Sequence, residues 1–280
     1  MTSSRAKPPT SAAGRLLAVL HAFAPGRTSL SLTEISRRAG LTLTTAHRLA
    51  GELVAWGALE RDSEGRYRIG IWVLELAALS PRGLELRENA LPFLEDLLEA
   101  THGNVHLSIR DNLEVVYVET LRPRGAVEVF SRLGGRWPMH AVGTGLVLLA
   151  HADAEVQERV LQAPLQRFTE KTVTDPHVLR RVLADVRRTG VAVATGQITL
   201  DALAVAAPVR GPDDEVIASI GVVKEVTTSA RALAPAVTAS ARALSRALGA
   251  PSARSRVPQP VGTVVRRRAG DLPLHARSGS

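Results

Sequence analysis

The chain has 280 residues, 45% of them hydrophobic and 3% aromatic, which is enough for two ordinary domains with packed cores. It contains no cysteine, so disulfides, thiolate metal sites and a cysteine nucleophile are excluded. The net charge of +8 is concentrated at the ends. Residues 1–70 carry ten basic against five acidic residues and residues 251–280 six against one, while the middle is close to neutral. That distribution describes a basic amino-terminal unit joined to a body that is not itself a nucleic-acid surface.

Residues 1–11 are polar, include Pro8-Pro9 and read as disordered. No apolar leader follows Met1, and the most apolar short stretch, residues 141–150, is too brief to cross a bilayer, so a cytoplasmic protein with no membrane partner is expected. Residues 12–23 have helical periodicity, with Leu16, Leu17, Val19, Leu20 and Phe23 on one face and Pro25-Gly26 as the stop. Two further helices are predicted over 32–39 and 43–56, with Gly40 at the turn where a left-handed residue is needed. Ile35, Ala39, Leu41, Ala46 and Leu49 let the pair pack together, and Leu53, Trp56 and Leu59 are expected to join that core.

The second helix of the pair carries Thr42, Thr44, Thr45, His47 and Arg48 on its polar side, side chains suited to phosphates and base edges. The alternative for the threonines is simple helix capping. Residues 59–61 and 66–69 then flank Asp62-Ser63-Glu64-Gly65, the signal of a short hairpin. Strand alternation puts Arg66 and Arg68 on one face, aimed at phosphates or a minor groove, and Tyr67 and Ile69 on the other. Helix, turn, helix and basic hairpin over residues 12–70 describe a winged helix–turn–helix.

Residues 71–80 are apolar nearly all round except for Glu75, a pattern that demands burial on more than one side. A linker helix buried against a second copy of the chain accounts for it. Pro81-Arg82-Gly83 marks the boundary, and residues 82–250 mix helices and strands in an α+β arrangement. Helices are predicted at 86–100, 141–150, 154–161, 176–189 and 229–248. Strands are predicted at 104–110, 114–120, 126–131, 191–194, 203–209 and 216–223, with Asp111-Asn112 and Pro212-Asp213-Asp214 as turns and Asp175 as a helix cap. Residues 251–280 are rich in Pro, Arg, Ser and Gly and read as a disordered basic tail able to add salt-sensitive DNA affinity.

Laid end to end, the chain resembles the IclR family of bacterial transcriptional regulators. The likeness rests on SLTEISRRAGL and TAHRL in the paired helices, ALERDSEGRYRIG in the hairpin, and NVHLSIRDNLEVVYVET, RWPMHAVGTG, FTEKTVTDP, VLADVRRTGVAV and AVAAPVRG beyond them. The resemblance implies a winged helix–turn–helix, a linker helix and a profilin-like or GAF-like effector-binding domain. It also implies a homodimer or tetramer on double-stranded operator DNA. It assigns DNA contact to Thr42, Thr44, Thr45, His47 and Arg48, and to Leu43, where family members usually carry a basic residue, so that either one phosphate contact is missing or the leucine meets a thymine methyl. It assigns an effector pocket to Met139, Gly143, Thr144, Ala194, Gln197, Ala204, Gly221 and Val223. Ala194, Thr195 and Gly196 stand where acidic residues are common, Ala204 where cysteine is frequent, and Gly221 and Val223 where serines are frequent. Those losses point to a larger or less polar effector than a small keto acid, the alternative being a pocket that has lost ligand binding.

An enzyme needs a constellation that this chain does not spell. There is no GxSxG elbow, no Walker lysine and no third glycine for a dinucleotide loop. His140 beside Gly143-Thr144-Gly145 reads as structural, and His102, His106 and His151 lack metal-ligand spacing. No catalytic residue, metal or cofactor is expected. The function anticipated is repression of a catabolic operon modulated by an organic or aromatic acid. The alternatives are activation of the same kind, non-specific architectural DNA binding, or small-molecule catalysis.

Overall fold

The computed structural model describes residues 11–23, 27–80, 83–127, 129 and 131–253. The amino-terminal unit begins with α1 (Ala12–His21), opened by the Ser11 hydroxyl, which accepts the Gly14 amide at 3.0 Å. The Pro25-Gly26 stop expected from the sequence lies outside the described residues. Strand β1 (Ser29–Leu30) leads into α2 (Leu32–Ala39), which opens with a capping box between Ser31 and Glu34 and closes at Gly40 with φ +67°. The left-handed turn there costs glycine little and lets α3 (Leu43–Ala55) cross back over α2. Strands β2 (Leu59–Arg61) and β3 (Tyr67–Ile69) form the wing, and β3 lies between β1 and β2 in an antiparallel sheet.

Val19, Leu30, Ile35, Ala46, Leu49, Leu53, Leu59 and Tyr67 fill the core of this unit. Trp56 was expected there but is 69% exposed. It caps α3 beyond the last turn whose inner face is taken by Leu53, and its ring leans on Trp72 with centroids 6.3 Å apart. Helix α4 (Ile71–Ala78) rests Trp72 and Val73 on the same core and buries no residue completely. Ile71, Leu74, Leu76 and Leu79 stay exposed, so the burial its sequence demands is not met within one chain.

The second unit starts with α5 (Leu84–Thr101), which ends at His102 in a left-handed conformation. Then follow β4 (Asn104–Asp111), β5 (Glu114–Leu121), β6 (Arg136–Pro138), α6 (Gly143–Ala150), α7 (Ala154–Gln162), α8 (Pro176–Thr189), β7 (Ala192–Thr195), β8 (Ala202–Arg210), β9 (Val216–Glu225) and α9 (Ala230–Ala247). The six strands make one antiparallel sheet in the order β6-β5-β4-β9-β8-β7. Leu86, Leu94 and Leu97 of α5 and Leu233, Val237 and Leu244 of α9 pack on one face. Leu146 and Leu149 of α6 and Leu179, Leu183 and Val186 of α8 belong to the core on the other. This is the two-domain α+β architecture expected.

One predicted strand is corrected. Residues 126, 127, 129 and 131 form no ladder, and β5 instead pairs with β6. The segment is held to β4 by side chains: the Asn104 amide donates to the Val127 carbonyl at 2.8 Å and Ser131 meets His106. Three residues of β6 are too few to show alternation, which is why the sequence favoured the wrong segment. Pro251–Ala253, placed in the disordered tail, forms a short 3-10 turn tied to Asp214 by Ser252, and the rest of the tail lies outside the described residues.

Two glycines in helices carry opposite expectations. A Cβ at exposed Gly51 in α3 meets nothing within 4 Å, whereas one at Gly145 in α6 would lie 2.4 Å from the Met139 carbonyl oxygen. Gly51→Ala should stabilise the protein by about 0.5–1 kcal/mol. Gly145→Ala should destabilise it by about 1–3 kcal/mol, both read by urea denaturation.

Candidate nucleic-acid interface and ligand pocket

Helix α3 begins at Thr42, whose hydroxyl accepts the Thr45 amide at 3.3 Å and donates to the Thr45 hydroxyl at 2.9 Å. Those two side chains are therefore engaged with each other at the helix start, as capping predicts. Leu43, Thr44, His47 and Arg48 stand exposed beside one another on the outer face, with Leu43 52% exposed. Arg48 has only a loose neighbour in Glu52, 4.0 Å away one turn on, a pair too weak at the surface to hold the guanidinium.

The wing departs from the expected pattern. Arg66 was read as facing outward with Arg68, but its guanidinium turns in. Its Nε donates to the Ser29 hydroxyl at 3.0 Å, and one Nη donates to the Ser29 carbonyl at 2.9 Å and to the Glu34 carboxylate at 3.1 Å. The Ser31 amide and hydroxyl, followed by Arg66 and Arg27, hold the Glu34 carboxyl down at about 2. Arg68 remains half exposed, 3.7 Å from Asp62. Tyr67 is buried, whereas Ile69, expected beside it, is exposed. Arg61, which sequence reasoning passed over, lies across from Tyr67 in the ladder with its guanidinium 4.9 Å from the ring centre.

In the second unit, a cavity of about 70 Å³ lies between α6 and the sheet. Gly143, Thr144, Ala194, Gln197, Ala204, Gly221 and Val223 all line it, as anticipated. Met139 does not. It is fully buried in the core, pressed beneath Gly145. Small residues set the depth of the cavity. A Cβ at Gly221 would come 2.8 Å from the Thr144 methyl and one at Gly143 would come 3.2 Å from that of Ala204, so α6 lies directly on β8 and β9.

The polar groups in and beside the cavity are neutral. The Ser108 hydroxyl donates to Thr144 Oγ1 at 3.1 Å, and Thr144 and Tyr117 both line the cavity. His106 Nε2 meets the Ser131 hydroxyl at 2.5 Å, and the His106 and Tyr117 rings lie 5.0 Å apart. Burial pushes Tyr117 up to about 12 and, with Arg122 nearby, pushes His106 down to about 3. Both are uncharged at neutral pH, and no Lys, Arg, Asp or Glu lines the cavity among the described residues. Helix α6 starts at Val142 with no side-chain cap, and Gly143 and Thr144 of its first turn face the cavity. An uncapped helix start of this kind favours an anion.

Sequence reasoning missed His106, Tyr117, Ser131 and Trp137 of the lining. A signal existed for the first of them. His106 and Ser108 are polar residues two apart in a strand otherwise built from Val105, Leu107 and Ile109, so they share a face that a featureless core would have made apolar. His140 lies outside the cavity lining and is held by the Gln166 carbonyl at 2.9 Å.

Comparison with known proteins gives two family matches: the IclR helix-turn-helix domain over residues 12–63 and the bacterial transcriptional regulator IclR C-terminal domain over residues 79–249. The HTH-type transcriptional regulator XynR of Escherichia coli is 31% identical over 208 residues, 74% of this chain and 82% of that protein. The glycerol operon regulatory protein of Streptomyces coelicolor is 31% identical over 210 residues, with 74% and 82% covered. The crystal structure of an IclR homolog complexed with 4-hydroxybenzoate, from Microbacterium hydrocarbonoxydans, is 37% identical with a TM-score of 0.81, covering 85% of this chain and 99% of that one. These relatives are transcriptional regulators, not enzymes. No described helix is long and apolar enough to cross a membrane.

Burial of His106 has a pH consequence. Its value is about 3 when folded against the usual 6.5, so between those values the unfolded chain takes up a proton that the folded one refuses. Stability should fall as pH drops from 6.5 to 5, by up to about 1.4 kcal/mol per pH unit for each proton taken up on unfolding. His140 and His151, also lowered by burial, act in the same direction. Urea midpoints measured across that range should show the slope, and His106→Asn should flatten it.

Proposed function

The chain belongs to the IclR family of bacterial transcriptional regulators, and from that membership we propose that it represses a catabolic operon under the control of an aromatic carboxylate. The observation that carries the effector class is the character of the cavity. It is uncharged, with aromatic side chains Tyr117 and Trp137 and the neutral ring of His106 in its wall. Such a lining suits a flat ring through dispersion and offset stacking. The α6 start supplies amides and a partial positive charge for one carboxylate without any cationic side chain. A small aliphatic keto acid would leave most of the apolar wall in contact with water. The 4-hydroxybenzoate in the Microbacterium homolog supports the same class of compound.

The operator side rests on α3. Leu43, Thr44, His47 and Arg48 form the face that would enter a major groove, with Thr42 and Thr45 fixing the helix start and Arg68 on the wing. The exposed Ile71, Leu74, Leu76 and Leu79 support burial of α4 against a second copy. A two-fold dimer would then set half-sites about one helical turn apart, or a multiple. Effector in the cavity changes operator affinity by favouring one of two placements of the reading helices.

Arg48→Ala should weaken operator binding at least about tenfold, the loss of a base or phosphate contact, while leaving 4-hydroxybenzoate binding intact. Thr144→Trp should fill the cavity and do the reverse. Gel-shift titration and calorimetry check the two arms. An unchanged operator affinity for Arg48→Ala would show that α3 is not the reader, and tighter binding of pyruvate than of 4-hydroxybenzoate would remove the aromatic class.

A further inference from the structure

A wing of two three-residue strands cannot hold its own orientation. Isolated hairpins of that size are marginal in water, and β1 adds only two paired residues, Ser29 and Leu30. Another restraint must fix the wing tip relative to α3.

Arg66 sits where such a restraint would act, between the Asp62–Gly65 turn and the first residue of β3. Asp62 shapes that turn by accepting the amides of Glu64 at 3.1 Å and Arg66 at 2.9 Å. From there the Arg66 side chain reaches out of the hairpin to two other elements. It bonds both the hydroxyl and the carbonyl of Ser29 in β1, and it bonds Glu34 in the first turn of α2. Glu34 is in turn fixed by the Ser31 amide at 2.9 Å, the Ser31 hydroxyl at 3.1 Å and Arg27 at 2.8 Å. The planar guanidinium makes the contact directional, since three donors with fixed relative angles leave one placement of the hairpin. Helix α2 packs on α3 through Ile35, Ala46 and Leu49, so whatever is tied to the start of α2 is tied to the reading helix.

We infer that Glu34 is a positioning residue for DNA recognition, holding Arg66 inward as a brace that sets where the wing meets the duplex. This rests on operator binding through α3. It removes Arg66 from the contacting set and leaves Arg68 as the outward-facing wing arginine, while Arg61 is exposed but lies against the Tyr67 ring.

The test compares full-length wild type with Glu34→Gln, Arg66→Met and the double variant, by hydroxyl-radical footprinting and affinity on the same operator. Glu34→Gln keeps the oxygen that the Ser31 amide and Arg66 share but loses the charge that strengthens the Arg66 bond. The brace predicts that both single variants lose protection of the flanking minor groove while keeping that of the central major grooves. It also predicts similar losses of affinity, about fivefold, with a double variant no worse than either single one. Direct contact by Arg66 predicts the opposite for Glu34→Gln, namely unchanged or stronger flank protection, and that result overturns the brace. So do losses that multiply in the double variant. Should Glu34→Gln fail to fold, hydrogen exchange of Arg66→Met without DNA decides. Faster exchange of amides in residues 59–69 supports the brace and unchanged exchange overturns it. Wild type showing no operator footprint would fault the operator-binding reading instead.

Discussion

The close approach of α6 to the sheet is the constraint on which the second domain depends. Gly143, Gly145 and Gly221 allow a helix backbone to lie where side chains would normally intervene, against β8, β9 and the Met139 backbone. Two results follow from one packing choice. The helix is anchored so tightly that even a methyl group at Gly145 has no room, and its uncapped start is brought to the wall of a cavity. A helix held further out by ordinary side chains would neither shape that cavity nor present amides to it. Neutral Thr144 and Tyr117 complete the wall, and Ser108, outside the lining, bonds Thr144. Buried polar groups without charge cost little when each is bonded.

The amino-terminal domain solves a different problem with charge. Its core is small, and its wing is made of strands too short to be self-supporting. Three elements meet at the Glu34 carboxylate, which serves at once as part of a helix cap and as an ion-pair partner. The exposed face of α3 is left with few internal obligations, as a surface that must exchange its water for DNA requires.

Legibility in the sequence followed periodicity and turn chemistry. The α2–Gly40–α3 unit, the α8 helix with Asp175 as cap, and the β8–β9 hairpin could be read almost to the residue, because each combines a clear apolar period with a stop signal. Seven of eight anticipated cavity residues line the cavity, although the resemblance, not the spacing, identified them. What was not legible depended on three-dimensional partners. Strands β1 and β6 are too short to show alternation. Arg66 looks like any exposed strand arginine until Glu34 and Ser29 are beside it. Trp56 reads as core by hydropathy yet lies at the end of α3 against Trp72. His106 is apolar in neighbourhood and polar in chemistry, and only the folded sheet shows which matters.

Ligand-controlled operator binding requires that the uncharged cavity and the α3 face be energetically coupled. Linkage makes that directly measurable, because two ligands that affect each other's binding must do so by the same factor. The decisive experiment is a pair of calorimetric titrations of the full-length protein with 4-hydroxybenzoate, in the absence and presence of saturating operator DNA, set beside operator affinity with and without the compound. With coupling, the compound's dissociation constant and the operator's change by one common factor, about 5- to 150-fold, and Thr144→Trp abolishes both changes. Binding of the compound with identical affinity to free and operator-bound protein would contradict it.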